Sequence, residues 1–188
     1  MNDSYIAHIT FNDDGTERIQ SVTDHNNNVA ELAKSNAPIQ ELTILAWLCG
    51  ILHDAGKFSN DFLEYIRRSA AGEPVVKGEV NHSSAGGQII NQLMPQTNLS
   101  QMVQMAVYSH HGLNDSVSFN NRTIFIEGRL KKEANTDEII DTYFRFNNKE
   151  LILEKCGEAK EEVTGIIGKI LSFINCCRDM DKKDFYGN

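Results

Sequence analysis

The residues most able to do chemistry in this chain are its histidines. There are six, and five stand where they can act together: His25, His53 beside Asp54, His82, and the adjacent pair His110 and His111. His25 precedes Val29 and Leu32 by four and seven residues, and His53 follows Ala46 and Cys49 by seven and four, so each continues the apolar side of a helical pattern. His82 opens the stripe Ala85, Gly86, Ile89 and Leu93, while His110 follows Val103 and Val107 by seven and three. A single inward histidine is usually a core residue with one hydrogen bond. Several in one small domain are costly to desolvate unless every ring nitrogen has a partner, and a metal ion is the partner that satisfies many at once. His8 has no carboxylate neighbour and no helical partner, and reads as structural.

Asp54 adds the carboxylate that a set of neutral imidazoles lacks. Its two oxygens can bridge two cations about 3.5 to 4 Å apart, the arrangement that clamps the attacking and leaving oxygens of a phosphoryl group. Gly56 lets the backbone turn close to such a site. Lys57, three residues after Asp54, falls on the same side, where it can hold a phosphate oxygen, protonate a leaving group, or simply pair with Asp54. A further carboxylate is expected from RDMDKKD, which offers Asp179, Asp181 and Asp184. Helical phase favours Asp181: it returns to within about 20° of the face of Ile170, whereas Asp179 points opposite. Acids at a helix C-terminus oppose the macrodipole unless a cation compensates.

The elements that must position these groups are mostly helical. Residues 1 to 20 alternate loosely around DDG and suggest a short hairpin. Thr23 can cap a helix carrying Val29, Leu32 and Ala33, and Pro38 marks the approach to a second helix, Gln40 to Asp54. Further helices read at about 58 to 69, 83 to 94, 99 to 111 and 148 to 182. The last has the stripe Ile152, Cys156, Ala159, Val163, Ile166, Ile170 and Ile174, steps of three and four that predict one buried face. Between residues 112 and 147 the pattern weakens. TIFIEGRL reads as a short strand and EANTDEIIDTYFRF as a helix, and the stretch is taken as an insertion in one domain spanning 1 to 188.

Composition fits a globular protein of 188 residues, with 40% hydrophobic and 23% charged residues, and excludes disorder and collagen-like repeats. The longest nearly apolar run, Leu42 to Leu52, falls short of the roughly 18 to 20 residues that span a bilayer. The first residues have neither the basic start nor the apolar core of a signal peptide, so the cytoplasm is the expected compartment and no membrane partner is expected. Cys49, Cys156, Cys176 and Cys177 form no CxxC pair and read as reduced thiols. A net charge of −8 argues against a free-standing nucleic-acid binder. It leaves room for a nucleic-acid enzyme whose cleft is made positive by bound metal ions.

A distant His, then His-Asp, then a distant Asp is the signature of the HD superfamily of metal-dependent phosphohydrolases, which this chain resembles. Its closer resemblance is to the HD nuclease domain of the type I CRISPR helicase-nuclease. The matching pieces are TDHNNNVAELA around His25, LCGILHDAGKF around His53 and Asp54, VNHSSAGGQ around His82, YSHHGL around His110 and His111, and CRDMDKKD around Asp181. The resemblance implies a mostly helical bundle with two metal positions. His25, His53, Asp54 and Asp181 would hold one ion, and Asp54, His82, His110 and His111 the other. It also implies hydrolysis of single-stranded DNA in antiviral interference, with Asp54 and Lys57 as the catalytic residues. Mixed imidazole and carboxylate ligands suit manganese, iron, nickel, cobalt or zinc better than magnesium or calcium. Met180 departs from the family, which has a small residue before the last ligand.

The sequence has no Walker A loop, so the expected CRISPR helicase is on a separate chain or in a missing C-terminal part, and a CRISPR surveillance complex is the expected wider partner. Two other readings remain. One is an HD phosphohydrolase acting on a nucleotide or other small phosphate ester, with Arg67 and Arg68 supplying positive charge. The other is an inactive HD module that binds metal or a partner. The acidic charge predicts weak affinity for free DNA without metal or helicase. Tight metal-free binding at physiological salt, measured by fluorescence anisotropy, would contradict this reading.

Overall fold

The most apolar segment, TILAWLCGIL, forms the helix around which the others are arranged. This helix, α2 (Thr43–Leu52), buries Leu45, Trp47, Leu48, Gly50, Ile51 and Leu52. A helix apolar on most of its circumference is driven to the centre. It packs against α1 (Val22–Ser35), α4 (Ala85–Leu93), α5 (Asn98–Tyr108) and α7 (Lys149–Tyr186). Gly50 permits a close approach of α1, because a Cβ there would lie 2.6 Å from the Cα of Ala30. The computed structural model describes residues 5–112, 117–118, 123–124 and 136–186, with 117–118, 123–124 and 179–186 described by backbone alone.

At the N-terminus, β1 (Ile6–Phe11) and β2 (Glu17–Ser21) form an antiparallel hairpin that pairs His8 with Gln20 and Thr10 with Arg18. Its turn uses Gly15 at φ 82°, a conformation that favours glycine. The hairpin leads directly into α1, and Val22 N donates to Tyr5 O at 2.8 Å, tying the helix to the first strand. α3 (Asn60–Ala70) and α6 (Thr136–Phe146) complete the helices, and β3 (Val117–Ser118) pairs with β4 (Thr123–Ile124). The fold is mostly helical with an N-terminal hairpin, as the sequence predicts. Among the described residues no helix is long and apolar enough to cross a membrane, and the four cysteines are free. The weakly patterned stretch contributes directly to the core, since α6 buries Ile139, Ile140 and Tyr143 there. Of the predicted strand TIFIEGRL, Thr123 and Ile124 are strand and the rest lies outside the described residues.

Three local expectations are corrected. Ser21, not Thr23, caps α1: its side chain accepts from Asp24 N at 3.0 Å. The chain leaves β2 and turns at Ser21, so the helix starts earlier than the polar pattern indicates. The core face of α1 is Val22, Asn26 and Ala30, while Leu32 is 63% exposed. His25 therefore lies on the flank of the core rather than within it. The stripe of α7 is buried at Ile152, Cys156, Ala159 and Val163, but Ile170 and Ile174 are 53% and 44% exposed. Periodicity therefore continues where burial among the described residues does not. The phase that favours Asp181 over Asp179 was counted from Ile170 and loses its reference face.

α2 has no side-chain cap of its own. Glu162 of α7 supplies one from far along the chain, accepting from Ile44 N at 3.0 Å and Leu45 N at 2.9 Å. The carboxylate satisfies otherwise unpaired N–H groups and places negative charge at the positive end of the helix. Replacing Glu162 by Ala should lower unfolding free energy by about 1–2 kcal/mol, as loss of a helix cap does. Urea denaturation followed by circular dichroism checks this, and an unchanged midpoint would mean that solvent replaces the cap without cost.

Candidate metal centre

Each histidine enters the site from the end of an element. His25 is in the first turns of α1, His53 is the C-cap of α2, His82 precedes α4, and His110 and His111 follow α5. Helix ends leave backbone carbonyls without helical partners, and those carbonyls orient the rings. His53 Nδ1 lies 2.7 Å from Gly50 O, and His110 Nδ1 lies 2.6 Å from Val107 O. His82 Nδ1 lies 3.2 Å from Val80 O. A proton on Nδ1 of each ring donates to its carbonyl, which leaves the Nε2 lone pair facing the centre.

Asp54 occupies the 3-10 turn that follows α2, and it is 3% exposed. Its two oxygens face different partners. Oδ2 is 3.1 Å from His25 Nε2, 3.2 Å from His53 Nε2 and 2.9 Å from Lys57 Nζ. Oδ1 is 3.4 Å from His110 Nε2 and 4.0 Å from His82 Nε2. His82 and His111 approach each other at Nε2 to 2.8 Å, as do His25 and His53 to 3.1 Å. The turn reaches this position because residue 56 is glycine: a Cβ there would run into the backbone of His82.

Two groups of side chains could each hold an ion: His25, His53 and Asp54, and Asp54, His82, His110 and His111. Donors bound to one cation at about 2.0–2.1 Å stand about 3.0 to 3.4 Å apart, close to the separations here. The donor chemistry also fits. Asp54 Oδ1 and His110 Nε2 are buried without a hydrogen bond, an arrangement that a cation between them would relieve. The structure thus brings together six of the residues that the sequence singles out as ligands, together with Lys57. The side chain of Asp181 lies outside the described residues, as do those of Asp179 and Asp184.

The electrostatics follow from burial and from this convergence. Burial pushes the Asp54 carboxyl up, but contacts from His110, His25, His53 and Lys57 outweigh it and hold the group far below the usual carboxylate range. Burial pushes His82 down to about 4. Burial acts the same way on His110, but Asp54 and the Val107 carbonyl outweigh it and raise that imidazole above its ordinary value. Lys57 is 6% exposed, with its ammonium against Asp54 and 5.2 Å from the centre of the Phe62 ring. It is a buried ion-pair partner rather than a surface lysine.

Sequence reasoning missed one residue. His8, read as structural, places its ring 4.7 Å from that of His25 at the edge of the cluster. No spacing along the chain could have shown this, because the hairpin meets α1 only in three dimensions. Arg67 and Arg68 do not join the site. They line a separate cleft on α3 with Asn60, Leu63, Glu64, Ala71 and Glu73, and Arg68 is paired with Glu73 and Glu79.

The family described as Cas3, HD domain matches residues 16–166, which include His25, His53, Asp54, Lys57, His82, His110 and His111. The chain belongs to the Cas3 HD-domain family. Membership makes it a metal-dependent HD hydrolase of CRISPR-associated context, with nucleic acid as its class of substrate. No curated protein matches the chain. In this Cas3 HD domain, His110 must give up a proton before it can ligate, whereas His82 is already neutral above about pH 5. Metal affinity should therefore rise as pH increases through the raised titration of His110, with protons released on binding. Calorimetric titration with Mn²⁺ in buffers of different ionisation enthalpy measures that release. Affinity independent of pH, with no proton release, would contradict the assignment.

Proposed function

We propose that this Cas3 HD domain is a nuclease that hydrolyses phosphodiester bonds of single-stranded DNA in CRISPR interference, with two divalent transition-metal ions at the site. The observation that carries the reading is the division of Asp54: Oδ2 faces His25 and His53, and Oδ1 faces His110 and His82. With separate imidazole sets on its two oxygens, Asp54 would be shared between the two ions, His25 and His53 completing one position and His82, His110 and His111 the other. When bound, divalent ions at such a site activate water as a nucleophile and offset the charge that develops on the phosphate.

The chain's own residues have distinct roles. Asp54 supplies the shared negative charge, and its depressed pKa keeps it ionised under all working conditions. His25 and His53 serve one position, and His82, His110 and His111 the other, with rings aimed by their Nδ1 contacts where these are formed. Lys57 holds Asp54 Oδ2 and sits within reach of the reacting centre. There its ammonium can contact a phosphate oxygen or protonate a leaving oxygen. Manganese, iron, nickel, cobalt or zinc suits these ligands better than magnesium.

Asp181 is the proposed remaining ligand of the His25 and His53 position. α7 passes Glu162 at the N-terminal end of α2, the end opposite Asp54, so a straight helix carries residue 181 away from the site. Asp181 can join only if α7 bends beyond Val163, where Gly165 and Gly168 have open space around them. The domain would work with a CRISPR helicase, on a separate chain or C-terminal to this segment, and with a CRISPR surveillance complex that delivers the strand. The small-ester alternative is weakened because Arg67 and Arg68 lie in a cleft that shares no residue with the metal centre.

Circular single-stranded DNA should be degraded in the presence of manganese, nickel, cobalt or iron, and far less with magnesium alone. Asp54→Ala and His53→Ala should each reduce the rate by at least about 10³-fold, the scale expected when a group acting only on the transition state is lost. Asp181→Ala should cost more than Asp179→Ala. Release of phosphate or nucleoside from nucleotides without DNA loss would favour the small-ester reading, and activity unchanged in the Asp54 variant would refute both.

A further inference from the structure

A polar cleft of about 530 Å³ runs along the hairpin beside the metal centre, lined by the side chains of His8, Thr10, Arg18, Gln20, Asp24 and Asn28 and by residue 19 of β2. Its construction follows from register. His8 is paired with Gln20 and Thr10 with Arg18, and residues paired or two apart in a hairpin share a face. All four therefore lie on one face. Asp24 and Asn28, four apart on α1, complete the opposite wall. One end of the cleft is fixed by the contact of His8 with His25, so the cleft opens from the reacting centre and extends away from it.

Its chemistry is that of an anion and base subsite. Arg18 has no ion-pair partner among the described residues. Gln20 and Asn28 likewise have no side-chain hydrogen bond there. The one acid, Asp24, already accepts from the Ser21 hydroxyl at 2.7 Å. The volume lies within the roughly 300–1,000 Å³ of small-ligand sites. In a protein of net charge −8, an uncommitted guanidinium beside an anion-processing centre stands out against its surroundings.

We propose that this cleft holds the nucleotide next to the scissile phosphate, with Arg18 on the neighbouring phosphate and the base against His8. This rests on the nuclease reading above and assigns the substrate's path across the site. Arg18 contributes a charge-assisted contact to phosphate. His8 offers a flat ring on which a base can stack without regard to sequence. His8 is thus a binding residue at the edge of the centre, not a further metal ligand.

The test measures strand binding separately from hydrolysis. A fluorescent, hydrolysis-resistant phosphorothioate 12-mer is titrated with the full chain in the presence of Mn²⁺, and anisotropy is read across a salt series. Arg18→Ala should weaken binding about 5- to 10-fold and reduce the slope of log affinity against log salt by about one, as loss of one phosphate contact does. His8→Ala should weaken binding severalfold with little change in slope, while Mn²⁺ stoichiometry by calorimetry is retained in both. Lys34→Ala, which removes one positive charge from the last turn of α1, should leave affinity near that of the parent. Unchanged binding in both cleft variants, equal loss in all three, or no binding by the parent chain would each overturn the proposal. Failure of the parent to cut unmodified DNA while the cleft variants still lose binding would count against the nuclease reading alone.

Discussion

A carboxylate that is 3% exposed is the constraint on which this structure turns. An isolated buried charge of this kind would be prohibitively costly, so everything near Asp54 must either donate to it or neutralise it. The chain answers with Lys57 at 2.9 Å and with imidazoles on both oxygens. That answer is incomplete within the protein itself, since Oδ1 and the facing His110 Nε2 make no hydrogen bond. The site stabilises its acid on one side and leaves the other oxygen open to a cation.

The fold is organised to make that convergence possible. Helix ends, rather than helix faces, deliver most of the histidines, and free carbonyls at those ends are what fix the ring orientations. The core supports the ends from behind. α2 is central, its N-terminus is capped by Glu162, and its C-terminus carries His53 into the site. Tyr143 of α6 donates to Ile51 O at 3.3 Å, close to that same end. One helix is therefore anchored at one end by a distant carboxylate and used at the other for chemistry. The glycine at position 56 serves the same purpose, bringing the Asp54 turn against the backbone of His82 so that two separate segments share one centre.

Much of the helical content and most of the candidate ligands were legible in the sequence, because both depend on local regularities. Apolar residues at steps of three and four report helices directly, and histidine is uncommon enough here that its placement on those patterns carries information. What failed was the inference from pattern to partner. Leu32 has the periodicity of a core residue and is exposed, since none of the described residues covers that part of α1. Ile170 and Ile174 repeat the stripe of α7 and are exposed as well. His8 shows the reverse case. Nothing on its own strand marks it, yet the hairpin carries its ring to His25.

The sequence by itself determined a mostly helical fold, the turn at Gly56, the placing of Lys57 on the same side as Asp54, and an imidazole-rich set of metal-binding character. These follow from bonds and spacings within a few residues, where chain geometry leaves few choices. Only the tertiary structure decided which oxygen of Asp54 faces which histidines, that Arg67 and Arg68 stand apart from the centre, and that a hairpin face borders it. Those are relations between segments distant in the chain. They are set by how the helices pack and where each one ends, which no local period encodes.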